Sequence, residues 1–549
     1  MSRLLQDNLT DAATTHPDHV AFRCGSDSIT YGELDRASTA LALTLIRHGV
    51  QAGECVALKA LPSIQSAVAV YGILKSGAVF TPLDPAAPDQ RTAELLSLYR
   101  VKCMVLCHTR YSMEDEMTTI GHRLLLVVGA SENDSMIDTK CIEWSDAIAY
   151  ENGQLRRVAE DAPAYVISTS GTTGRPKGIV HTHRSGQSYA SQTVNCYGLA
   201  DSDRIASLSP LHFDMSTFGY LAGVLAKATV VLIPPAYTKL PASLSGLLEK
   251  EQITVWYSVP FTLVELLFRG VLEKRDASSL RWVVFAGESM PIKHLHSLRE
   301  AWPQAWFSNA FGPTETNVCT VFQMPPLSDE SRLSGESGYQ RELSDMLPIG
   351  RPWGSVQIRV VDSVGAKVKK GQVGELLVHS DANMQRYFEG SVDDPNAFWI
   401  DDEFAAKKYF RTGDLVRQRS DGNLEFHGRG DRQIKIRGYR VELDAIEFEL
   451  NSLPHVMESV VLCVPSSKAP QTKELLLSPG TNTEANILFA SIRISADGEL
   501  TEEDVTARLR LRLPEYAIPQ GIDIVGSIAR MSNGKIDLEA LAVGVGGKQ

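Results

Sequence analysis

The sequence predicts an α/β fold: a large N-terminal domain of several sheets with packed helices, residues 1–430, and a small mobile α+β domain, residues 431–549. Three observations predict it. From about residue 30 to about residue 240, helical and strand-like segments alternate. The strand-like segments are continuous apolar runs, as in sheets buried on both faces. The pattern then changes at "GRGDRQIKIRGYRVE", residues 428–442, where glycines and charges crowd together before a new set of amphipathic segments.

Taken in order, "YGELDRASTALALTLIRHG" (31–49) has apolar residues at helical spacing and a glycine stop, and "SAVAVYGILKSG" (66–77) repeats that plan. "CVALKA" (55–60), "VKCMVLCH" (101–108) and "RLLLVVG" (123–129) read as strands. His181 and His183 alternate along a strand, and His294 and His296 lie in a polar helical stretch, so these histidines take solvated or hydrogen-bonded structural roles. Residues 325–345 are polar and Gly/Ser-rich and read as a surface insertion. Beyond 430, "LDAIEFELN" puts Leu443, Ile446 and Leu450 on one helical face. "TEEDVTARLRLRLPEY" has a Thr cap, acids in its first turn and Val505, Leu509 and Leu513 four apart, while "ESVVLCV" and "NILFASIRI" read as strands. The Gly-rich tail, 544–549, reads as frayed.

At 549 residues the chain exceeds one hydrophobic core, which suggests roughly two to four folding units. A net charge of −12 argues against nucleic acid or an anionic membrane as the main partner. The N-terminus has no apolar signal-type run and no segment approaches the ~20 apolar residues of a membrane span, so the expected location is cytoplasmic. Eight scattered cysteines form no C-x-x-C pair, which reads as buried thiols in a reducing compartment.

Chemistry enters at "YVISTSGTTGRPKGIVHTH", residues 165–183. A β-branched run passes into a loop of small and hydroxyl residues, then Lys177, then a second β-like run: a strand, a loop and a strand, with a loop built to hold phosphate. It is not the G-x-x-x-x-G-K-[ST] loop, because Pro176 precedes the lysine and Gly178 follows it. A plain Ser/Gly turn is the alternative. Four further motifs follow. "NAFGPTET" (309–316) offers an aromatic, a hydroxyl and a carboxylate suited to a purine, a phosphate and Mg²⁺. "YFRTGDL" (409–415) places Asp414 in a tight turn, suited to ribose hydroxyls; "GRGDRQIKIRG" supplies Arg429 for ribose or phosphate; "NGKIDLEAL" presents Lys535 after an Asn-Gly turn.

In this order the motifs resemble the adenylate-forming enzymes: acyl-CoA synthetases, luciferases and the adenylation domains of nonribosomal peptide synthetases. The resemblance runs from about residue 10 to residue 541. It implies ATP and Mg²⁺, with Thr169, Ser170, Gly171, Thr172, Thr173, Gly174 and Lys177 on the phosphates. Thr314 and Glu315 would handle phosphate and metal, Asn309, Phe311 and Phe426 would frame the adenine, and Asp414 would hold the ribose. Lys535 would be the catalytic lysine of the small domain, and Asp431 the hinge.

"PLHFDMSTFGYL" (210–221) resembles the F-D-x-S element of members that activate amino acids, in which the Asp pairs with the α-ammonium; Asp214 stands there, although an N-cap Asp before a helix at Met215 is the local alternative. The resemblance then assigns the substrate pocket to Asp214, Met215, Phe218, Tyr257, Val284, Ala286, Ala310, Val318 and Cys319. One acid, one phenol and otherwise apolar groups imply a compact, uncharged amino acid. Tyr257, Ala286, Val318 and Cys319 are similar to stand-alone prolyl-AMP ligases of pyrrole biosynthesis, which points to L-proline, with alanine or another small aliphatic residue as the alternative. Few residues follow Lys535 and no G-G-x-S phosphopantetheine site is present, so the acceptor is expected in trans: a carrier protein's phosphopantetheine thiol, or, as the alternative, the free coenzyme A of an acyl-CoA synthetase.

Overall fold

The structure, a computed structural model, describes residues 3–107, 126–129, 140–149, 152–169, 176–327, 346–389, 397–401, 407–465, 486–495, 500–530, 536–538 and 541–542. The chain divides into two compact units: residues 1–85, 96–168 and 178–430 form the first, and 86–95, 169–177 and 431–549 the second.

Among the described residues the first unit is built on three sheets. The strands Cys55–Ala60, Val79–Leu83 and Cys103–Cys107 of one sheet, and Val255–Ser258 and Trp282–Ala286 of another, are buried along their whole lengths. They are parallel to their neighbours, which explains apolar runs without alternation: both faces are covered. Each fully buried Val, Leu or Ile there contributes about 1.5–3 kcal/mol. The helix Tyr31–Arg47 begins where Thr30 accepts from the Glu33 N–H at 3.2 Å and Glu33 returns the bond to the Thr30 N–H at 2.9 Å. Leu34, Leu41 and Leu45 then bury one face of it.

The second unit pairs Gln433–Ile436 with Tyr439–Glu442 through Arg437 and Gly438, both at positive φ (51° and 82°), the backbone of a two-residue hairpin turn. The helix Leu443–Asn451 buries Leu443, Ile446 and Leu450. The Thr501-capped helix Glu502–Arg510 buries Val505 and Leu509 in the same core, against a sheet of Val456–Pro465, Asn486–Ile494 and Gly521–Ile524. Most of the expected 325–345 insertion and all of the 544–549 tail lie outside the described residues. Among the described residues no helix is long and apolar enough to cross a membrane. All eight cysteines are free.

The expected hydrogen-bonded role holds for His181 and His183, with Leu5 N–H donating to His183 Nδ1 at 3.4 Å, but the placement of both on one strand needs correction. His181 does lie on the strand Lys177–Thr182, but His183 opens the helix His183–Tyr197. Thr182 caps that helix, accepting from the Ser185 N–H at 3.1 Å, while Ser185 Oγ accepts from the Thr182 N–H at 2.9 Å. Neither imidazole is solvated: both are buried, and burial pushes each down to about 4, against smaller upward pulls from the Thr314 carbonyl and Glu315 on His181 and from Asp7 on His183. An unfolded histidine titrates near 6.5, so between that value and about 4 the unfolded chain binds more protons. This stability is complete above about pH 6.5 and is lost as the pH falls toward 4. The melting temperature is therefore expected to drop between pH 7 and pH 5; a flat profile over that window would contradict the burial of these two rings.

Candidate functional site: one sheet face and the turn beside it

Tyr257 is registered with Val284, Val284 with Ser308, and Ala286 with Ala310 across three parallel strands. Registered neighbours and every second residue share a face, so Tyr257, Val284, Ala286 and Ala310 line one side of the sheet, while Phe285 and Asn309 line the other. Phe218, Val318 and Cys319 belong to the same buried cluster, and Met215 packs against it. The Phe218 ring lies 5.0 Å from that of Tyr257. The structure thus brings together eight of the nine residues assigned to the pocket, and all eight are uncharged.

Asp214 is the ninth. It is the first residue of a 3₁₀ turn, Asp214–Ser216, followed by a π-helical turn, Phe218–Gly223. The N-cap position belongs to Phe213, which makes no side-chain cap bond, so the N-cap alternative for Asp214 is set aside. Burial raises the Tyr165, Tyr189 and Tyr257 phenols above their usual range, and the negative charge of Asp214 adds to the rise in all three. That shared influence puts the half-buried carboxylate near these three phenols.

The strand Trp306–Phe311 leads into the turn that carries Thr314 and Glu315. A Cβ at Gly312 would fall 1.7 Å from the Asn317 carbonyl oxygen, so only glycine lets the chain fold back this tightly. Glu315 is fully buried; its Oε1 accepts from the Tyr387 hydroxyl at 3.1 Å, and its carbonyl from the Met384 N–H at 2.6 Å. The Thr314 carbonyl is 3.0 Å from His181 Nε2. A carboxylate beside a hydroxyl is the hard oxygen chemistry that Mg²⁺ takes when a triphosphate completes its shell, so these residues fit that ion.

Phe311 and Phe426 are half-buried neighbours, their centroids 5.7 Å apart and their ring planes tilted by 48°. The Asn309 amide donates to the Pro348 carbonyl at 2.8 Å. Asp414 departs from expectation: it lies within the twelve-residue strand Lys407–Gln418, not in a tight turn. Gly413, at φ 72°, gives the chain an irregularity inside the strand, and the pairing with Leu424–Arg429 shifts register between Asp414 and Val416. Arg429 lies opposite and donates Nη1–H to Asp414 Oδ1 at 2.5 Å, a pair almost wholly buried.

Thr169 ends the strand Pro163–Thr169 and Lys177 begins Lys177–Thr182, its neighbour in the sheet. Ser170, Gly171, Thr172, Thr173 and Gly174, and also Lys535, lie outside the described residues. Asp431 opens the longest stretch of the second unit, its Oδ1 accepting from the Gln433 N–H at 3.2 Å. Sequence reasoning missed Tyr387 and Tyr189, and gave His181 no part in the site. Tyr387 carries no local signal, being 72 positions from Glu315.

Residues 9–388 match the family model of AMP-binding enzymes. The chain belongs to that family of adenylate-forming ligases. It is 28% identical over 554 residues to the L-proline–[L-prolyl-carrier protein] ligase of Pseudomonas fluorescens, covering 98% of this chain and 99% of that protein. It is 28% identical over 540 residues to the dimodular nonribosomal peptide synthase of Bacillus subtilis, covering 98% of this chain but only 21% of that larger protein. Among solved structures it resembles the amide bond synthetase McbA of Marinactinospora thermotolerans, with a TM-score of 0.80 at 21% identity over 98% of this chain and 99% of that one. It also resembles holo-PA1221, a nonribosomal peptide synthetase protein with adenylation and PCP domains, with a TM-score of 0.78 at 22% identity over 98% of this chain and 84% of that one. These structural likenesses establish the adenylate-forming fold over nearly the whole chain.

Proposed function

We propose that this chain activates a small uncharged amino acid, best L-proline, with ATP to form an aminoacyl-AMP and pyrophosphate, then passes the aminoacyl group to the phosphopantetheine thiol of a separate carrier protein. The observation that carries the reading is a single carboxylate, Asp214, beside an otherwise uncharged wall of Phe218, Tyr257, Val284, Ala286 and Ala310. An α-ammonium has one partner there, and a second charge on the substrate would have none. The full-length likeness to a carrier-protein ligase named for L-proline supports the choice of substrate and of acceptor.

A carboxylate nucleophile is already ionised, so no general base is required. The chemical problem is to bring two anions together. Lys177, with its loop Thr169 to Gly174, holds the phosphates, and Lys535 supplies a second cation. Phe311 and Phe426 stack the adenine, Asn309 edges it, and Asp414 with Arg429 receives the ribose. The amino-acid carboxylate oxygen bonds to the α-phosphorus as the bond to the β-phosphate oxygen breaks. Mg²⁺, held through Glu315 with Thr314 beside it, would neutralise charge on the phosphates. The carrier thiolate then attacks the acyl carbon, and AMP leaves. Asp431 is the pivot between the two half-reactions, with 431–549 as the moving domain.

Amino-acid-dependent ATP–pyrophosphate exchange tests this reading. A proline ring covers more of the apolar wall than alanine does; at about 25 cal/mol per Å², two missing methylenes cost about 1.5 kcal/mol, near a tenfold preference in kcat/KM. Aspartate and lysine are expected to be inactive. Alanine or serine outrunning proline would contradict the proline assignment, and a preference for a charged amino acid would contradict the pocket itself.

A further inference from the structure

His181 takes no part in the chemistry above, yet it is fully buried on the strand that leaves the phosphate loop. Its ring stacks on Tyr165 with centroids 4.8 Å apart and planes 15° from parallel, and its Nδ1 lies 3.3 Å from Ser185 Oγ. Its Nε2 lies 3.0 Å from the Thr314 carbonyl oxygen, which can only accept, so Nε2 carries the hydrogen. Stacking and hydrogen bonding leave the ring one orientation.

The neighbouring strand reinforces the contact. Arg386–Tyr387 pairs with Lys177–Thr182, Arg386 opposite Val180 and Tyr387 opposite Ile179. From that ladder Tyr387 reaches Glu315 Oε1, and Met384 N–H, just before it, reaches the Glu315 carbonyl. The Thr314–Glu315 turn is thus held at three points, two from this pair of strands and one from Met384 just before it, and His181 makes the Thr314 contact. An aliphatic side chain would bury as well at this position and would leave the Thr314 carbonyl without that donor. Burial keeps the ring neutral near pH 7, so the donor is present without a buried charge.

We propose that His181 is a positioning residue for the nucleotide triphosphate: its Nε2–H on the Thr314 carbonyl fixes the Thr314–Glu315 turn where the phosphates and their counter-ion bind. The inference rests on the nucleotide-binding part of the reading above, and it assigns His181 no contact with substrate.

The test is calorimetric titration of the full chain and its variants with MgATP and, separately, with adenosine, which lacks phosphate. H181L keeps the bulk and removes the donor; MgATP is expected to bind about tenfold more weakly, the scale of one lost orienting hydrogen bond, with adenosine unchanged. H181Q places an amide N–H where Nε2 stood and is expected to restore MgATP binding to within about twofold. Should H181L fail to fold, H181N supplies the contrast, because its shorter amide cannot reach the Thr314 carbonyl. Wild-type affinity for MgATP in the variant lacking the donor, or an equal loss for adenosine, or no rescue in H181Q, would overturn the proposal. Absence of amino-acid-dependent exchange in the unmodified protein would instead sink the proposed function and leave the MgATP comparison standing.

Discussion

Asp214→Ala is expected to lower kcat/KM for the preferred amino acid by roughly two to four powers of ten. The substrate ammonium would enter a closed, largely apolar site without its counter-charge, at a cost of about 3–5 kcal/mol. The wall supplies no substitute, since Met215, Phe218, Tyr257, Val284, Ala286, Ala310, Val318 and Cys319 are all uncharged. The loss should fall on amino acids alone. A des-amino acid of similar size carries no ammonium and should keep its weak activity. The N-cap position of this turn is Phe213, not Asp214. Circular dichroism and melting check that the variant folds, and equal losses for an amino acid and its des-amino counterpart would contradict the ammonium pairing.

The second large effect is expected at Lys535. Its ammonium should bridge the substrate carboxylate and the α-phosphate while the adenylate forms, an interaction strongest in the transition state. Lys535→Ala should therefore suppress adenylate formation by several orders of magnitude. Transfer of a supplied aminoacyl-AMP to the carrier thiol uses neither contact and should be largely spared. Measuring the two half-reactions separately decides it: equal damage to both would contradict a catalytic arrangement used only for adenylation.

Local elements were legible in the sequence where one short-range rule acted alone. The apolar spacing of residues 31–49 marks the helix Tyr31–Arg47, and the Thr501 cap marks the start of Glu502–Arg510. Two local readings differ from the structure. The Gly413–Asp414 pair looks like a turn, yet its positive-φ glycine serves as an irregularity inside a long strand that pairs with Val373–His379, upstream, and with Leu424–Arg429, the next strand of the chain. His183 looks like a continuation of the strand, but Thr182 with Ser185 caps a helix that begins at His183 itself. At Gly413 strand pairing overrode a local turn signal, whereas at His183 the local Thr182–Ser185 cap overrode the strand alternation.

At the site, motif order carried the identification of the family, whereas geometry depended on register. That Tyr257, Val284, Ala286 and Ala310 share one face follows from alignment of three strands that are not contiguous in sequence. The Tyr387–Glu315 bond and the His181–Thr314 bond join residues 72 and 133 positions apart, and no local pattern announces them. The phenols around Asp214 come from a strand, a helix and another strand, Tyr165, Tyr189 and Tyr257, and meet only in the folded core.

The central claim, that Asp214 and the uncharged wall select an amino acid for adenylation, is tested most directly by competition. The unmodified chain is given MgATP with an equimolar mixture of the common amino acids and a set of des-amino acids, and the bound adenylate is identified by mass spectrometry. The account predicts a single dominant aminoacyl-AMP with the mass of the proline adduct. An adenylate of an acid lacking the amine, or of a charged amino acid, or no adenylate at all, would contradict it.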